Sequence, residues 1–223
     1  MSAGLALFDL DGTLVDSAPD IADAVDIAMQ ACGRPVLGEA LVRGLIGNGA
    51  ARLIHRALTG QHHGDADPAL HAQAYGFFVD AYQPRVFTRT RLFPGVEEVL
   101  ARLAAAGWML GCVTNKPARF TAPLLSAAGI AHYFGVVLCG DSLPTKKPAP
   151  EPILHAAAVL GVALPQVVMI GDSLADLHAA HNAGVRAVCV SFGYHGGVDL
   201  AAEGAQHLID DMRALLPLLG LAA

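Results

Sequence analysis

Two aspartates near the start of the chain are spaced so that they could do chemistry together. Asp9 and Asp11 follow the apolar run 5–8 and are followed at once by Gly12. Alternate residues of an extended chain point the same way, and a glycine lets the backbone turn tightly. Neighbouring carboxyl groups also push their pKa values apart, so one can attack while the other carries a proton. Taken alone, the pattern is also typical of an ordinary Asp-Gly turn after a strand.

Three later segments repeat this arrangement, in which an apolar run ends in polar residues. Each run has the length and composition of a buried strand. The segments are 110–117, which ends in Thr-Asn-Lys-Pro, 136–150, which reaches Lys-Lys-Pro-Ala-Pro, and 166–176, which ends in Gly-Asp-Ser-Leu-Ala-Asp. Ligands of open α/β sheets bind beyond the carboxyl ends of the strands. The polar ends are therefore predicted to meet at one edge of a parallel sheet.

The elements that must position these residues fall into two kinds. After about residue 94, strand and helix patterns alternate, which predicts a parallel sheet with crossover helices. Residues 16–86 show helical patterns and no convincing strand. Ser17, followed by Ala-Pro-Asp, predicts a helix start with a capping hydroxyl. The fold class is therefore predicted to be α/β, with a separate helical region.

Composition argues against a nucleic-acid or membrane partner. The chain has 223 residues, is 54% hydrophobic and has a formal charge of −6. It contains no basic run that could neutralise a phosphate backbone, and no apolar run approaches the length of a membrane span. Its 4 cysteines lack the spacing of a zinc site or a disulfide scaffold. We expect a cytoplasmic monomer or homodimer with reduced cysteines.

In their order along the chain, these motifs resemble those of haloacid dehalogenase superfamily phosphatases. The resemblance covers nearly the whole chain, and within the superfamily it points to the phosphoglycolate phosphatase branch. The segments that carry it are 8–17, 46–50, 113–117 and 147–150.

The resemblance implies a Rossmann-like core, with helices on both faces of a parallel sheet, and an α-helical cap inserted after the first strand. Combined with the helical patterns, it predicts the cap at residues 16–86. The core is then discontinuous and comprises residues 1–15 and 87–223.

The resemblance also implies a role for each motif residue. Asp9 would attack phosphorus to form an aspartyl-phosphate, and Asp11 would protonate the leaving alkoxide and later activate water. Thr114 and Asn115 would bind a phosphoryl oxygen. Lys147 would neutralise charge on the phosphoryl group and on Asp9.

A single Mg²⁺ is the implied cofactor. Its ligands would be the carboxylates of Asp9 and Asp172 and the backbone carbonyl of Asp11, with Asp176 behind them. Oxygen ligands of this kind suit Mg²⁺ and do not suit zinc. A phosphate ester would be repelled by about 4 kcal/mol per close carboxylate at an effective dielectric constant of about 20, so the site requires local cations.

Each later motif also has a purely structural interpretation. Thr114 could begin the next helix. Asp172 and Asp176 could cap a helix and interact favourably with the positive end of its dipole. Lys146 and Lys147 could be a solvated loop pair. The order and spacing of the motifs together favour the catalytic interpretation.

The predicted function is Mg²⁺-dependent hydrolysis of a small phosphorylated metabolite, with 2-phosphoglycolate as the favoured substrate. Arg43 and Asn48, beside glycines of the helical region, are the candidates for contact with the leaving group. A sugar phosphate, such as N-acetylmuramic acid 6-phosphate, and pyrophosphate are alternative substrates. A phosphoaspartate signalling switch is an alternative of another class, since receiver domains also group acids, a threonine and a lysine around Mg²⁺.

Overall fold

The structure is a computed structural model that describes residues 3–222. In chain order, its strands are β1 (Leu5–Phe8), β2 (Val15–Asp16), β3 (Arg91–Leu92), β4 (Met109–Val113), β5 (Val136–Leu138), β6 (Val167–Gly171), β7 (Arg186–Val190) and β8 (Leu208–Ile209). Its α-helices are α1 (Ala18–Ala31), α2 (Glu39–Arg43), α3 (Ala50–Thr59), α4 (Pro68–Tyr82), α5 (Val96–Ala105), α6 (Ala118–Ala127), α7 (Glu151–Leu160), α8 (Leu174–Ala183) and α9 (Leu215–Leu218).

A 6-stranded sheet forms the core, with the strand order β5-β4-β1-β6-β7-β8. All neighbouring strands in it run parallel. The chain passes from β1 to β4 on one side and later returns to β6 on the other side. This reversal of winding direction opens a crevice at the carboxyl ends of the central strands, where ligands of such sheets bind. The predicted α/β fold is confirmed.

The sheet is covered on both faces because its central strands are apolar on both sides. All four residues of β1 are buried. Ala6 and Phe8 belong to one apolar cluster, whereas Leu5 and Leu7 belong to another, as the alternation of side chains along a strand requires. Helices α5, α6 and α9 contribute to the first cluster, and α7 and α8 contribute to the second.

The helices α1 to α4 follow one another between β2 and β3. Strands β2 and β3 pair antiparallel, with Val15 opposite Leu92 and Asp16 opposite Arg91. The two chain segments that connect the helical region with the sheet therefore lie side by side. The exact cap boundaries, at residues 16 and 86, stay a prediction. Within residues 3–222, no helix is both long enough and apolar enough to cross a membrane.

Helix α1 begins at Ala18, as predicted, but its first turn is held differently from the prediction. The Ser17 hydroxyl does not cap the helix and instead donates a 2.5 Å hydrogen bond to Oδ1 of Asp11. Asp20, in the first turn, accepts hydrogen bonds from the backbone N–H groups of Thr88, Arg89 and Thr90 and from the Thr90 hydroxyl. A buried carboxylate thus fastens α1 to the segment that returns to the sheet.

The cysteines carry free thiols. Cys112 and Cys189 are buried, and Cys32 and Cys139 are partly exposed. Burial raises the pKa of Cys189 to about 12.

Candidate active site

The predicted motifs lie together at the carboxyl edge of the sheet. Asp9 directly follows β1, Thr114 directly follows β4, and Asp172 directly follows β6. Because β1 pairs with both β4 and β6, the three positions are neighbours across the centre of the sheet. The parallel arrangement therefore brings side chains from distant parts of the sequence to one crevice.

Three buried carboxylates form a cluster in this crevice. Asp9, Asp172 and Asp176 each offer an oxygen, and these oxygens lie within 4.8 Å of one another. Burial raises the pKa of Asp9 to about 6, although Lys147 opposes the shift. Burial and the nearby Asp9 and Asp176 hold the pKa of Asp172 well above its usual range. Positive charge close to these carboxylates is therefore needed to stabilise their ionised forms.

Lys147 supplies part of that charge. Its ammonium nitrogen lies 2.9 Å from Oδ1 of Asp9 and 2.5 Å from Oδ1 of Asp176. It also donates a hydrogen bond to the carbonyl of Val113. Burial lowers the pKa of Lys147, but the two carboxylates outweigh burial and raise it above its usual value. Lys147 is thus a buried, charged partner of the acids and not a solvated loop residue.

The acid cluster fits a divalent cation that prefers oxygen ligands. Oδ1 of Asp9 is buried and has no hydrogen-bond partner among residues 3–222, although it forms an ion pair with the Lys147 ammonium at 2.9 Å. Such an oxygen is available as a ligand, and all donors of the cluster are carboxylate oxygens, which suit Mg²⁺. The Asp11 carboxylate is not a member of the cluster, and the ligand predicted from Asp11 is its backbone carbonyl.

Asp172 is held by groups that sequence reasoning did not assign to the site. The Thr13 hydroxyl donates to Oδ1 at 2.7 Å, and the backbone N–H of Tyr194 donates to Oδ2 at 2.6 Å. A Cβ atom on Gly193 would lie 2.2 Å from the Cβ of Asp172 and 2.4 Å from the carbonyl oxygen of Gly12. Thr13 belongs to the first motif and could have been found. Residues 193 and 194 lie shortly after the end of β7, a strand end that was not among the predicted motifs.

Asp176 combines both roles considered for it. Its Oδ2 accepts hydrogen bonds from the backbone N–H and the hydroxyl of Ser173, so the two residues form a capping box at the start of α8. Its Oδ1 faces Lys147. The helix start therefore orients a carboxylate of the site.

Asp11 lines the same cavity as Asp9, and its carboxylate has partners that the sequence did not predict. Its carboxylate does not pair with Asp9 and instead accepts from the Lys116 ammonium at 2.9 and 3.0 Å and from the Ser17 hydroxyl. The largest contributions to the pKa of Asp9 are burial, Lys147 and Asp176. The reason is local: β1 ends at Phe8, and the turn that follows brings Asp11 to Lys116 and Ser17.

A cavity lies between this edge of the sheet and the helical region. Its polar lining consists of Asp9, Asp11, Thr114, Asn115 and Lys116. Its apolar walls include Ile21, Leu53, Phe78, Tyr82 and Phe120. The cavity thus offers a polar end at the strand termini and a mainly apolar remainder.

The amino-acid sequence of this chain matches that of a known protein family. A sequence model described as haloacid dehalogenase-like hydrolase matches residues 6–190. The chain belongs to the haloacid dehalogenase-like hydrolase family. The span of the match runs from β1 to the end of β7 and therefore includes every strand end that contributes to the cavity.

Relatives of this hydrolase support the same assignment. It is 45% identical to a phosphoglycolate phosphatase of Nitrosococcus oceani, over 98% of this chain and 97% of the relative. A crystal structure of a predicted phosphoglycolate phosphatase from Haemophilus somnus superposes with a TM-score of 0.91 at 36% identity, covering 98% of this chain and 99% of that chain. The structure of CbbY from Rhodobacter sphaeroides in complex with phosphate superposes with a TM-score of 0.81 at 27% identity, covering 99% and 100% of the two chains.

In this hydrolase, Asn115 joins three loops of the site. Its side-chain amide donates to the carbonyl of Gly47 at 3.2 Å and to that of Lys147 at 3.0 Å. The neighbouring Thr114 hydroxyl lines the cavity and accepts a hydrogen bond from the backbone N–H of Lys116. Both motif residues are buried at the cavity edge, where the resemblance predicts phosphoryl binding.

The two residues predicted to contact the leaving group do not line this cavity. Arg43 forms ion pairs with Asp16 at 3.0 Å and with Glu39 at 3.1 Å, and its guanidinium lies 5.1 Å from the ring centroid of Tyr194. The Asn48 carbonyl Oδ1 accepts from Arg56 at 2.6 Å. Carboxylates thus pair with Arg43, and an arginine pairs with Asn48. The contact of Arg43 and Asn48 with substrate stays a prediction.

Sequence reasoning missed Lys116 as a site residue. Its position as the third residue of the Thr-Asn-Lys-Pro segment could have indicated that it lies at the site. Its side chain is only 4% exposed, and its ammonium also donates to the Tyr82 hydroxyl at 2.7 Å. Lys146, in contrast, is exposed and donates to the backbone carbonyl of Asn48.

Proposed function

We propose that this hydrolase is a Mg²⁺-dependent phosphomonoesterase that converts 2-phosphoglycolate to glycolate and phosphate. The observation that carries the proposal is the position of Asp9. It is a buried carboxylate that lines the cavity at the centre of the sheet edge. A lysine, in an ion pair with its Oδ1, and two further acids surround it. The names of relatives at 42–45% identity support the choice of substrate.

The reaction proceeds in two displacements at phosphorus. A carboxylate oxygen of Asp9 attacks, and the bond from phosphorus to the leaving oxygen breaks. Asp11, after it has taken up a proton from solvent, gives that proton to the glycolate alkoxide. Water then attacks the aspartyl-phosphate and gives a proton to Asp11, which releases phosphate and restores Asp9. With a pKa of about 6, Asp9 is mostly ionised at neutral pH and can act as the nucleophile.

The surrounding residues position the phosphoryl group. The Thr114 hydroxyl and the Asn115 backbone N–H donate to its oxygens, and Lys147 balances negative charge on the phosphoryl group and on Asp9. Asp9, Asp172 and the Asp11 backbone carbonyl would hold Mg²⁺, with Asp176 behind them. When bound, this cation neutralises charge on the phosphoryl oxygens.

N-acetylmuramic acid 6-phosphate, other sugar phosphates and pyrophosphate stay alternative substrates. A cytoplasmic location and a monomeric or homodimeric state stay predictions from the sequence.

The proposal is tested by a phosphate-release screen over 2-phosphoglycolate, sugar phosphates, pyrophosphate and nucleotides, with and without MgCl₂. We expect the highest kcat/KM for 2-phosphoglycolate, and we expect Asp9→Asn to abolish turnover of every substrate. Asp80→Asn, an exposed change on α4, is the matched control and should behave like the wild type.

Three results would contradict parts of the proposal. A preference for a sugar phosphate or pyrophosphate would overturn the substrate. Turnover that survives Asp9→Asn would overturn the nucleophile, and turnover that is independent of Mg²⁺ would overturn the cofactor.

A further inference from the structure

Lys116 places a positive charge inside the active-site cavity. Among the described residues that line the cavity, it is the only one with a cationic side chain. Its ammonium lies 2.9 and 3.0 Å from the two oxygens of Asp11 and 2.7 Å from the hydroxyl of Tyr82. It also lies 4.7 Å from the centroid of the Tyr82 ring. Residues from two other parts of the chain, Asp11 and Tyr82, therefore hold this ammonium in place.

The substrate of the proposed function brings two anions into the cavity. Its phosphoryl end belongs at Asp9, so its carboxylate must lie elsewhere in the cavity. The walls there are largely apolar, with Ile21, Leu53 and Phe120 among them. A carboxylate that loses its water in such surroundings is costly unless a cation or hydrogen-bond donors receive it.

The other cations considered for this contact, Arg43 and Lys147, do not line the cavity. Arg43 is paired with two carboxylates and does not line the cavity. Lys147 is surrounded by Asp9, Asp176 and the Val113 carbonyl. Tyr82 can assist Lys116, because burial holds the pKa of its hydroxyl well above the usual value and keeps it protonated as a donor.

We propose that Lys116 determines substrate specificity by binding the carboxylate of the leaving group in exchange for Asp11. This inference rests on the proposed function. One carboxylate replaces another, so the number of charges around the Lys116 ammonium does not change. The exchange also releases the Asp11 carboxylate from its ion pair with Lys116, so that it can take up a proton from solvent and deliver it to the leaving oxygen. A substrate without a second anion leaves Asp11 bound to Lys116 and is turned over slowly.

The test compares 2-phosphoglycolate with phosphoglycolamide, in which a neutral carboxamide of similar size replaces the carboxylate. The quantity measured is the ratio of kcat/KM for the two substrates. For the wild type, we expect a preference of about 30-fold or more for the carboxylate, the usual effect of removing one partner of a buried charge pair. Lys116→Met should bring the ratio close to one.

Lys146→Met is the matched control, because it removes a lysine that does not line the cavity, and it should keep the wild-type ratio. Lys116→Gln keeps hydrogen-bonding groups at the position and provides the same measurement if the methionine variant does not fold. Circular dichroism of each variant shows whether it is folded.

The outcomes separate this inference from the proposed function. If Lys116→Met lowers kcat/KM for both substrates by the same factor, Lys116 only positions Asp11 and the inference is overturned, while the proposed function stands. If the wild type does not prefer the carboxylate, both the inference and the choice of 2-phosphoglycolate are overturned.

Discussion

The hydroxyl of Thr13 donates a 2.7 Å hydrogen bond to Oδ1 of Asp172, although 159 positions separate the two residues. Both side chains are buried. The bond joins the turn after β1 to the loop after β6, and it supports the charged form of a carboxylate whose pKa burial raises. Thr13 thus orients a predicted metal ligand from the opposite end of the sequence.

We therefore expect Thr13→Val to weaken Mg²⁺ binding. Valine has nearly the same shape as threonine but cannot donate, so Asp172 loses a hydrogen bond that favours its ionised form. Losses of this kind typically cost about 10- to 100-fold in metal affinity. The measurement is a calorimetric titration with MgCl₂, together with the Mg²⁺ dependence of activity.

Thr13→Ser is the control, because it keeps the hydroxyl and should retain most of the affinity. Equal Mg²⁺ affinity of the wild type and Thr13→Val would show that this hydrogen bond does not support the metal site.

Asp20 provides a test of how the helical region is attached to the core. Its buried carboxylate accepts hydrogen bonds from three backbone N–H groups and one hydroxyl in residues 88–90. Asp20→Asn places an amide N–H₂ opposite some of these donors, so we expect a loss of about 3 kcal/mol in the free energy of unfolding. Urea denaturation measures this loss.

Asp23→Asn is the matched change on the same helix. Asp23 is 46% exposed, and within residues 3–222 its only ion-pair partner is Arg89 on the surface, where ion pairs contribute little. Its effect should be much smaller than that of Asp20→Asn. Similar effects of the two substitutions would show that Asp20 does not fasten α1 to the returning segment.

Arg43→Ala tests the sequence-based prediction that Arg43 contacts the leaving group. In the structure, Arg43 is paired with Asp16 and Glu39, so we expect the variant to change kcat/KM for 2-phosphoglycolate and for p-nitrophenyl phosphate by the same factor. We also expect a loss of about 0.5 to 1 kcal/mol in stability, because these ion pairs are partly exposed. Steady-state kinetics and urea denaturation measure the two effects. A selective rise in KM for 2-phosphoglycolate would restore the sequence-based contact.

The fold class and the sheet edge of the site were predictable because they depend on local patterns. Apolar runs of strand length mark β1, β4 and β6, and alternation with helices requires that they run parallel. Parallel strands place their carboxyl ends at one edge, so Asp9, Thr114 and Asp172 could be assigned to one crevice without coordinates. The start of α1 was predictable from its serine and proline for the same reason.

Local pattern failed where the chain turns. Asp9 and Asp11 line one cavity, but the turn after β1 gives Asp11 the partners Lys116 and Ser17, which the spacing did not predict. The Ser17 hydroxyl, which was predicted to cap α1, donates to Asp11 instead, because this turn places the Asp11 carboxylate beside it. A single residue type can satisfy several partners, and only the surrounding structure selects one of them.

The sequence by itself determined that strands β1, β4, β5 and β6 would form and where their polar ends would lie, because these properties follow from residue order and periodicity. The resemblance of its motifs indicated the family. Only the tertiary structure decided which charged groups pair. The partners Thr13 and Asp172, Lys116 and Asp11, and Asp20 and Thr90 lie 159, 105 and 70 positions apart. Electrostatic and hydrogen-bonding energies depend on distance in space and on burial, and the packing of the helical region against the sheet determines both.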